Sequence, residues 1–121
     1  MDWKEELEKK LLPLGGERIS FPKFEVDLEK FLRRGQDWTK KKRIFMKGQI
    51  SQCHRNTARL WYENKDQVQI ATGYALFEGS WIQHSWGIEK NRIVETTLSF
   101  EKYYGFLLNV EETYDFHYDN A

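Results

Sequence analysis

The chain reads as an α+β domain, with helices first and an antiparallel meander afterwards. Three observations predict this. Apolar residues recur at helical spacing in three segments before residue 64. From residue 68 onward the period switches to the two-residue alternation of strands, broken by short turn sequences. The length of 121 residues suits one domain with a real core but is too short for two.

Residues 3–12 predict a short amphipathic helix, with Trp3, Leu7, Leu11 and Leu14 at helical spacing, stopped by Pro13 and Gly15-Gly16. Phe21-Pro22-Lys23-Phe24 predicts an extended or turn entry. Phe24, Leu28, Phe31 and Leu32 then form a second helical stripe ending at Gly35. A basic linker follows, and Arg43-Ile44-Phe45-Met46 reads as a short strand before Gly48. These pieces make a helical N-terminal part, residues 1–48. Residues 49–110 predict a cysteine-bearing helix followed by the sheet. In that helix Ala58, Leu60 and Trp61 are the apolar positions, and Asn64-Lys65-Asp66 is the exit turn.

Four strands follow. Val68 to Phe77 is the first, turned by Glu78-Gly79-Ser80. Trp81 to Ile88 is the second, turned by Glu89-Lys90-Asn91. Arg92 to Leu98 and Tyr103 to Val110 are the third and fourth, and 111–121 reads as an acidic tail. No internal repeat or low-complexity segment appears.

Composition narrows the function classes. Apolar residues are 40% of the chain, aromatics 16% and charged residues 31%, with a formal net charge of zero, which is the profile of a folded globular protein. No apolar run approaches the roughly 18 residues of a membrane helix, and the N-terminus lacks a signal-peptide core. A single cysteine excludes an internal disulfide and metal sites built on several thiols. His54, His84 and His117 lack ligand spacing. The expectation is a cytoplasmic domain with no metal, no cofactor and no membrane partner.

That cysteine, Cys53, is the most informative residue. It stands in a polar collar, Ser51-Gln52-Cys53-His54-Arg55-Asn56-Thr57, which is unlike the surroundings of a buried structural thiol. It also begins a helical run, where orphan backbone N–H groups favour a thiolate and can hold an oxyanion, with Gln49 or Gln52 as side-chain donors. Of the three histidines, His54 is adjacent and would point away on a helix, and His117 lies in the acidic tail. His84 alternates with Ile82, Trp86 and Ile88 on one face of a strand. Glu95 falls on that face of the next strand if the turn is Glu89-Lys90 or Lys90-Asn91. The first register puts it directly opposite His84, the second on a diagonal. A thiol, an imidazole and a carboxylate in this arrangement have the logic of a nucleophilic triad, with Trp86 placed to wall the imidazole from water.

The helix-initial Cys53, Gly73-Tyr74-Ala75, Gly79-Ser80-Trp81, His84-Ser85-Trp86 and Glu95-Thr96-Thr97 together resemble the transglutaminase-like branch of the papain-like fold. That family reads as a cysteine starting a helix, a Gly-Tyr strand, a His-Ala-Trp strand and an Asp-Pro-Thr strand. The resemblance spans residues 49–98 and departs from the pattern at Glu95, where Asp is usual, and Thr96, where Pro is usual. It implies a papain-like domain with Cys53 as nucleophile, His84 as general base and acid, and Glu95 as the orienting carboxylate. The implied function is cysteine-dependent acyl transfer on an amide or ester by a peptidase, amidase, deamidase or transglutaminase-type enzyme, with a protein or peptide amide as substrate.

A second function class rests on charge. The segment 30–47 is basic, with Lys40, Lys41, Lys42 and Arg43 at its centre among Phe31, Trp38 and Phe45. On this reading the protein is a non-catalytic interaction or inhibitor module that binds nucleic acid, another polyanion or an acidic protein.

Overall fold

Asp2 opens the first helix, α1 (Trp3–Leu11), by accepting a hydrogen bond from the Glu5 N–H at 2.9 Å. Acidic Glu5 and Glu6 in the first turn and basic Lys9 and Lys10 in the last complement the helix dipole. The computed structural model describes residues 2–23, 27–49 and 51–120. Pro13 tightens the exit of α1 into a 3-10 turn, Leu12–Leu14. The second helix, α2 (Leu28–Arg34), stops at Gly35 as the sequence predicts, while Phe24 of its predicted stripe lies outside the described residues. Cys53 is the first residue of α3 (Cys53–Glu63), and Asn64 closes it.

Seven strands form one sheet: β1 (Arg18–Ser20), β2 (Gln36–Asp37), β3 (Arg43–Phe45), β4 (Gln69–Phe77), β5 (Ser80–Glu89), β6 (Arg92–Glu95) and β7 (Lys102–Leu107). Their order is β2-β7-β4-β5-β6-β3, with β1 joining β5 off this path. Among the described residues only β1–β5 and β3–β6 run parallel, so the domain is α+β with a mostly antiparallel sheet. The β4–β5 turn is Glu78-Gly79 (φ 48° and 81°) and the β5–β6 turn is Lys90-Asn91 (φ 50° and 64°). Two residues in the left-handed region give the tight turn whose twist suits a hairpin.

The two faces of the sheet bury different cores. Ile70, Tyr74, Leu76, Trp81 and Phe106 pack with Leu7, Leu11, Phe31 and Trp61, so α1, α2 and α3 cover one face. Ala71, Ala75, Trp86, Ile88, Ile93 and Tyr103 point the other way, toward Trp38 and Phe100. Gly105 lets the Trp86 ring lie across this second face. A Cβ there would sit 2.9 Å from the ring and run into the Thr72 backbone.

Three elements differ from the sequence expectation. The third strand of the meander ends at Glu95 rather than Leu98, because the N–H groups of Thr96 and Thr97 turn back to the Glu95 carboxylate. The fourth ends at Leu107 rather than Val110. The segment read as an acidic tail is a helix, α4 (Val110–Asn120). It starts with a capping box: Glu112 N–H donates to Asn109 Oδ1 and Asn109 N–H donates to Glu112 Oε1, both at 2.8 Å. The Arg34 guanidinium then grips the same carboxylate at 2.8 and 2.9 Å and ties α4 to α2. Short β1 and β2 have no counterpart in the sequence reading.

Among the described residues, no helix is long and apolar enough to cross a membrane.

Candidate active site

The site is organised by a gap along one edge of β5. Strand β4 pairs with β5 from Ser80 to Ile88 on one side. On the other side β1 occupies Ser80 to Ile82 and β6 occupies Gly87 to Glu89, which leaves residues 83–86 without a strand partner there among the described residues. The first turn of α3 fills that gap and straddles the sheet. Thr57 Oγ1 donates to the Ser85 carbonyl at 3.3 Å, satisfying one strand acceptor that no neighbouring strand reaches. Cys53 lies near enough to His84 to raise the proton affinity of its imidazole, while His54 turns to the opposite face and meets Ser85 Oγ with Nδ1 at 2.6 Å.

On the Cys53 side the three sequence-predicted residues come together. His84 Nε2 lies 2.8 Å from Glu95 Oε1, which leaves Nδ1 as the ring nitrogen for the thiol. Of the two registers the sequence allows, the structure has the Lys90-Asn91 turn with Ile88 opposite Ile93 and Gly87 opposite Val94, so the pair is diagonal. Both side chains are buried, and Cys53 is half-buried. Trp86 stacks beside the imidazole, with centroids 5.9 Å apart and planes at 26°. Its Nε1 is buried with no hydrogen-bond partner among the described residues.

Glu95 is saturated with donors. Oε1 accepts from the Tyr103 hydroxyl at 2.7 Å as well as meeting His84. Oε2 accepts from Thr96 N at 3.1 Å, Thr97 N at 3.0 Å and Thr97 Oγ1 at 3.0 Å. Burial opposes its charge, but His84, Tyr103 and the Thr97 N–H outweigh it and hold the carboxyl below its ordinary range. Burial would likewise drive the proton from His84. The hydrogen bonds to Cys53 and Glu95, with the charge of Glu95, win and raise its pKa to about 9. Burial and then the Glu95 charge push the Tyr103 phenol up, so it stays a donor. His54 goes the other way: burial first and His84 second lower it to about 4, which keeps it neutral.

The oxyanion candidates are placed unequally. Gln52 is half-buried at the N-cap of α3, and no side chain among the described residues caps that end, so first-turn N–H groups remain for a ligand. Gln49 is exposed, and its backbone is clamped by Asn56: Oδ1 accepts from Gln49 N at 3.2 Å and Nδ2 donates to Gln49 O at 2.7 Å. Asn56 therefore sets the loop that delivers Cys53. The sequence reading missed the roles of Asn56 and Tyr103, whose partners are distant or reached through a turn. Of the basic segment, Lys40 and Lys42 are exposed, and Lys41 donates to Asn91 Oδ1 at 2.8 Å. Arg43 instead turns inward, donating to the carbonyls of Phe100 (2.8 Å) and Thr39 (3.1 Å) and lying 4.9 Å from the Tyr103 ring centroid. His117 sits on α4, stacked on Tyr62.

Among the described residues, no group of three or more His, Cys, Asp or Glu side chains is placed to hold a metal ion. No protein-family model, no curated protein and no solved structure matches the chain.

Proposed function

We propose that the protein is a cysteine-dependent acyl-transfer enzyme of the papain-like, transglutaminase-like type, acting in the cytoplasm on an amide or ester with a protein or peptide amide as substrate. The observation that carries this reading is His84, whose buried ring meets the Glu95 carboxylate through Nε2 at 2.8 Å and lies near the Cys53 side chain. A buried carboxylate facing an imidazole fixes its tautomer and supports the imidazolium, which in turn supports a thiolate.

In this mechanism the Cys53 thiolate attacks the carbonyl carbon and the C=O π electrons move to oxygen. The free N–H groups at the start of α3 and the Gln52 amide stabilise that oxyanion. As the tetrahedral intermediate collapses, the C–N or C–O bond breaks and His84 gives its proton to the leaving amine or alkoxide, leaving a thioester on Cys53. Water then gives hydrolysis, and an amine gives transfer, with His84 taking the proton of whichever nucleophile attacks. Glu95 keeps its charge throughout.

The test is incubation with p-nitrophenyl acetate followed by intact-mass and peptide analysis. A p-nitrophenolate burst with an acetyl group on Cys53, lost in His84→Ala, supports the reading. Acetylation of surface lysines alone, with Cys53 untouched, sinks it. The charge-based alternative has less support, because Arg43 is engaged within the fold and Lys41 is bonded to Asn91.

A further inference from the structure

On the face of the sheet opposite His84 lies a cavity of about 480 Å³, and His54, the residue after the proposed nucleophile, forms part of its wall. Its size falls within the range of side-chain and small-ligand pockets. The interior is aromatic, with Phe31, Tyr74, Phe106 and Phe116, and Gln83 adds an amide beside the strand position of His84. The charged groups around it are Asp27, Lys30, Glu112, Asp115 and Asp119.

Lys30 is already engaged by Glu112 at 2.9 Å and by Asp27 at 3.6 Å, and Glu112 is also held by Arg34. His54 is neutral at ordinary pH because burial depresses its pKa. This leaves Asp115 and Asp119, one helical turn apart on α4 and without an ion pair among the described residues, as the unbalanced charge. Phe116 lies next to both on the same helix and packs edge-on against His54, with centroids 6.0 Å apart. Among the described residues, an anionic ligand would meet no free cation here. An uncharged apolar one would leave two carboxylates uncompensated at its end.

We propose that this cavity is a specificity pocket for an arginine side chain of a peptide substrate, whose alkyl stem lies among the aromatic rings while its guanidinium meets Asp115 and Asp119. The planar guanidinium suits both partners, since it stacks on rings and bonds carboxylates through its fork. This deepens the reading of Cys53 as an acyl-accepting nucleophile and rests on it for the word substrate, but its test does not.

The test compares the rates at which two chloroacetamides alkylate Cys53, one carrying a 4-guanidinobutyl chain and one a pentyl chain. Each rate is divided by that of the same reagent with N-acetylcysteine. The pocket predicts a normalised preference for the guanidinium reagent of about tenfold, the scale of two partly screened ion pairs. The double variant D115N/D119N should abolish it. These positions are exposed, so folding does not depend on their charge.

Equal normalised rates in the parent, or a preference untouched in D115N/D119N, overturn the proposal. An aminobutyl reagent of matching length that labels as fast overturns the assignment to arginine. The absolute rate of the pentyl reagent reads thiol activation separately. A slow pentyl reaction with the preference retained removes the catalytic reading and leaves the cationic pocket standing.

Discussion

His84 and Glu95 meet across a hairpin on the diagonal, Nε2 to Oε1 at 2.8 Å, not from directly opposite positions. The diagonal matters because it leaves Glu95 at the end of β6, where the chain can bend. A carboxylate in mid-strand could not also draw in the N–H groups of Thr96 and Thr97, since those would be committed to a ladder. The bend that ends the strand therefore adds to what His84 and Tyr103 do in keeping the carboxylate charged.

Replacing Glu95 by Gln removes the charge but keeps the shape. The His84 pKa should fall from about 9 by about one unit or more, because burial then acts with less opposition. A histidine-resolved NMR titration reads it directly. Tyr103→Phe, which leaves four of the donors to Glu95 in place, should cost only about 1 kcal/mol in stability and move His84 less. An unmoved His84 titration in Glu95→Gln would show that the carboxylate does not hold the proton.

Asn56→Ala tests whether the loop before Cys53 is positioned from α3. Loss of both hydrogen bonds to Gln49 should cost about 1–2 kcal/mol and slow Cys53 alkylation, with the His84 titration unchanged. That split separates positioning of the thiol from tuning of the imidazole. Labelling at the parent rate would mean the clamp is only structural.

Stability should peak near pH 6.5. His84 has a folded pKa of about 9 against an ordinary 6.5, so its contribution is full below 6.5 and is lost as the pH rises through 9. His54, lowered to about 4, works in reverse: its neutral form contributes fully above 6.5, and stability falls as the pH drops toward 4. Glu95, held below its ordinary value, adds to the acid-side loss. Each histidine is worth on the order of 1–3 kcal/mol, so urea midpoints measured from pH 4 to 9 should form a dome. A flat profile above pH 6.5 would contradict the raised His84 value.

Much of this was legible in the residues. Period-2 alternation with two turn sequences located β4, β5 and the start of β6. The polar collar around Cys53 separated it from a buried thiol, and parity put His84 and Trp86 on one face, with Glu95 joining them given a two-residue turn. The choice between two registers was not legible, because it rests on whether Lys90 and Asn91 or their neighbours adopt positive φ. The helix α4 was missed because its acidic composition hid the Asn109–Glu112 capping box. The edge gap at residues 83–86 was out of reach of any local pattern. It depends on where the distant strand β1 pairs with β5 and on where β6 ends at Glu95, and such features leave no periodic trace.

The most direct test of the central claim is the pH dependence of Cys53 alkylation by iodoacetamide in the parent and in His84→Ala. If Cys53 and His84 form a thiolate–imidazolium pair, the parent should label rapidly well below pH 7, and the variant should lose that reactivity and follow an ordinary thiol of about 8.5. A parent profile identical to that of His84→Ala would contradict the account.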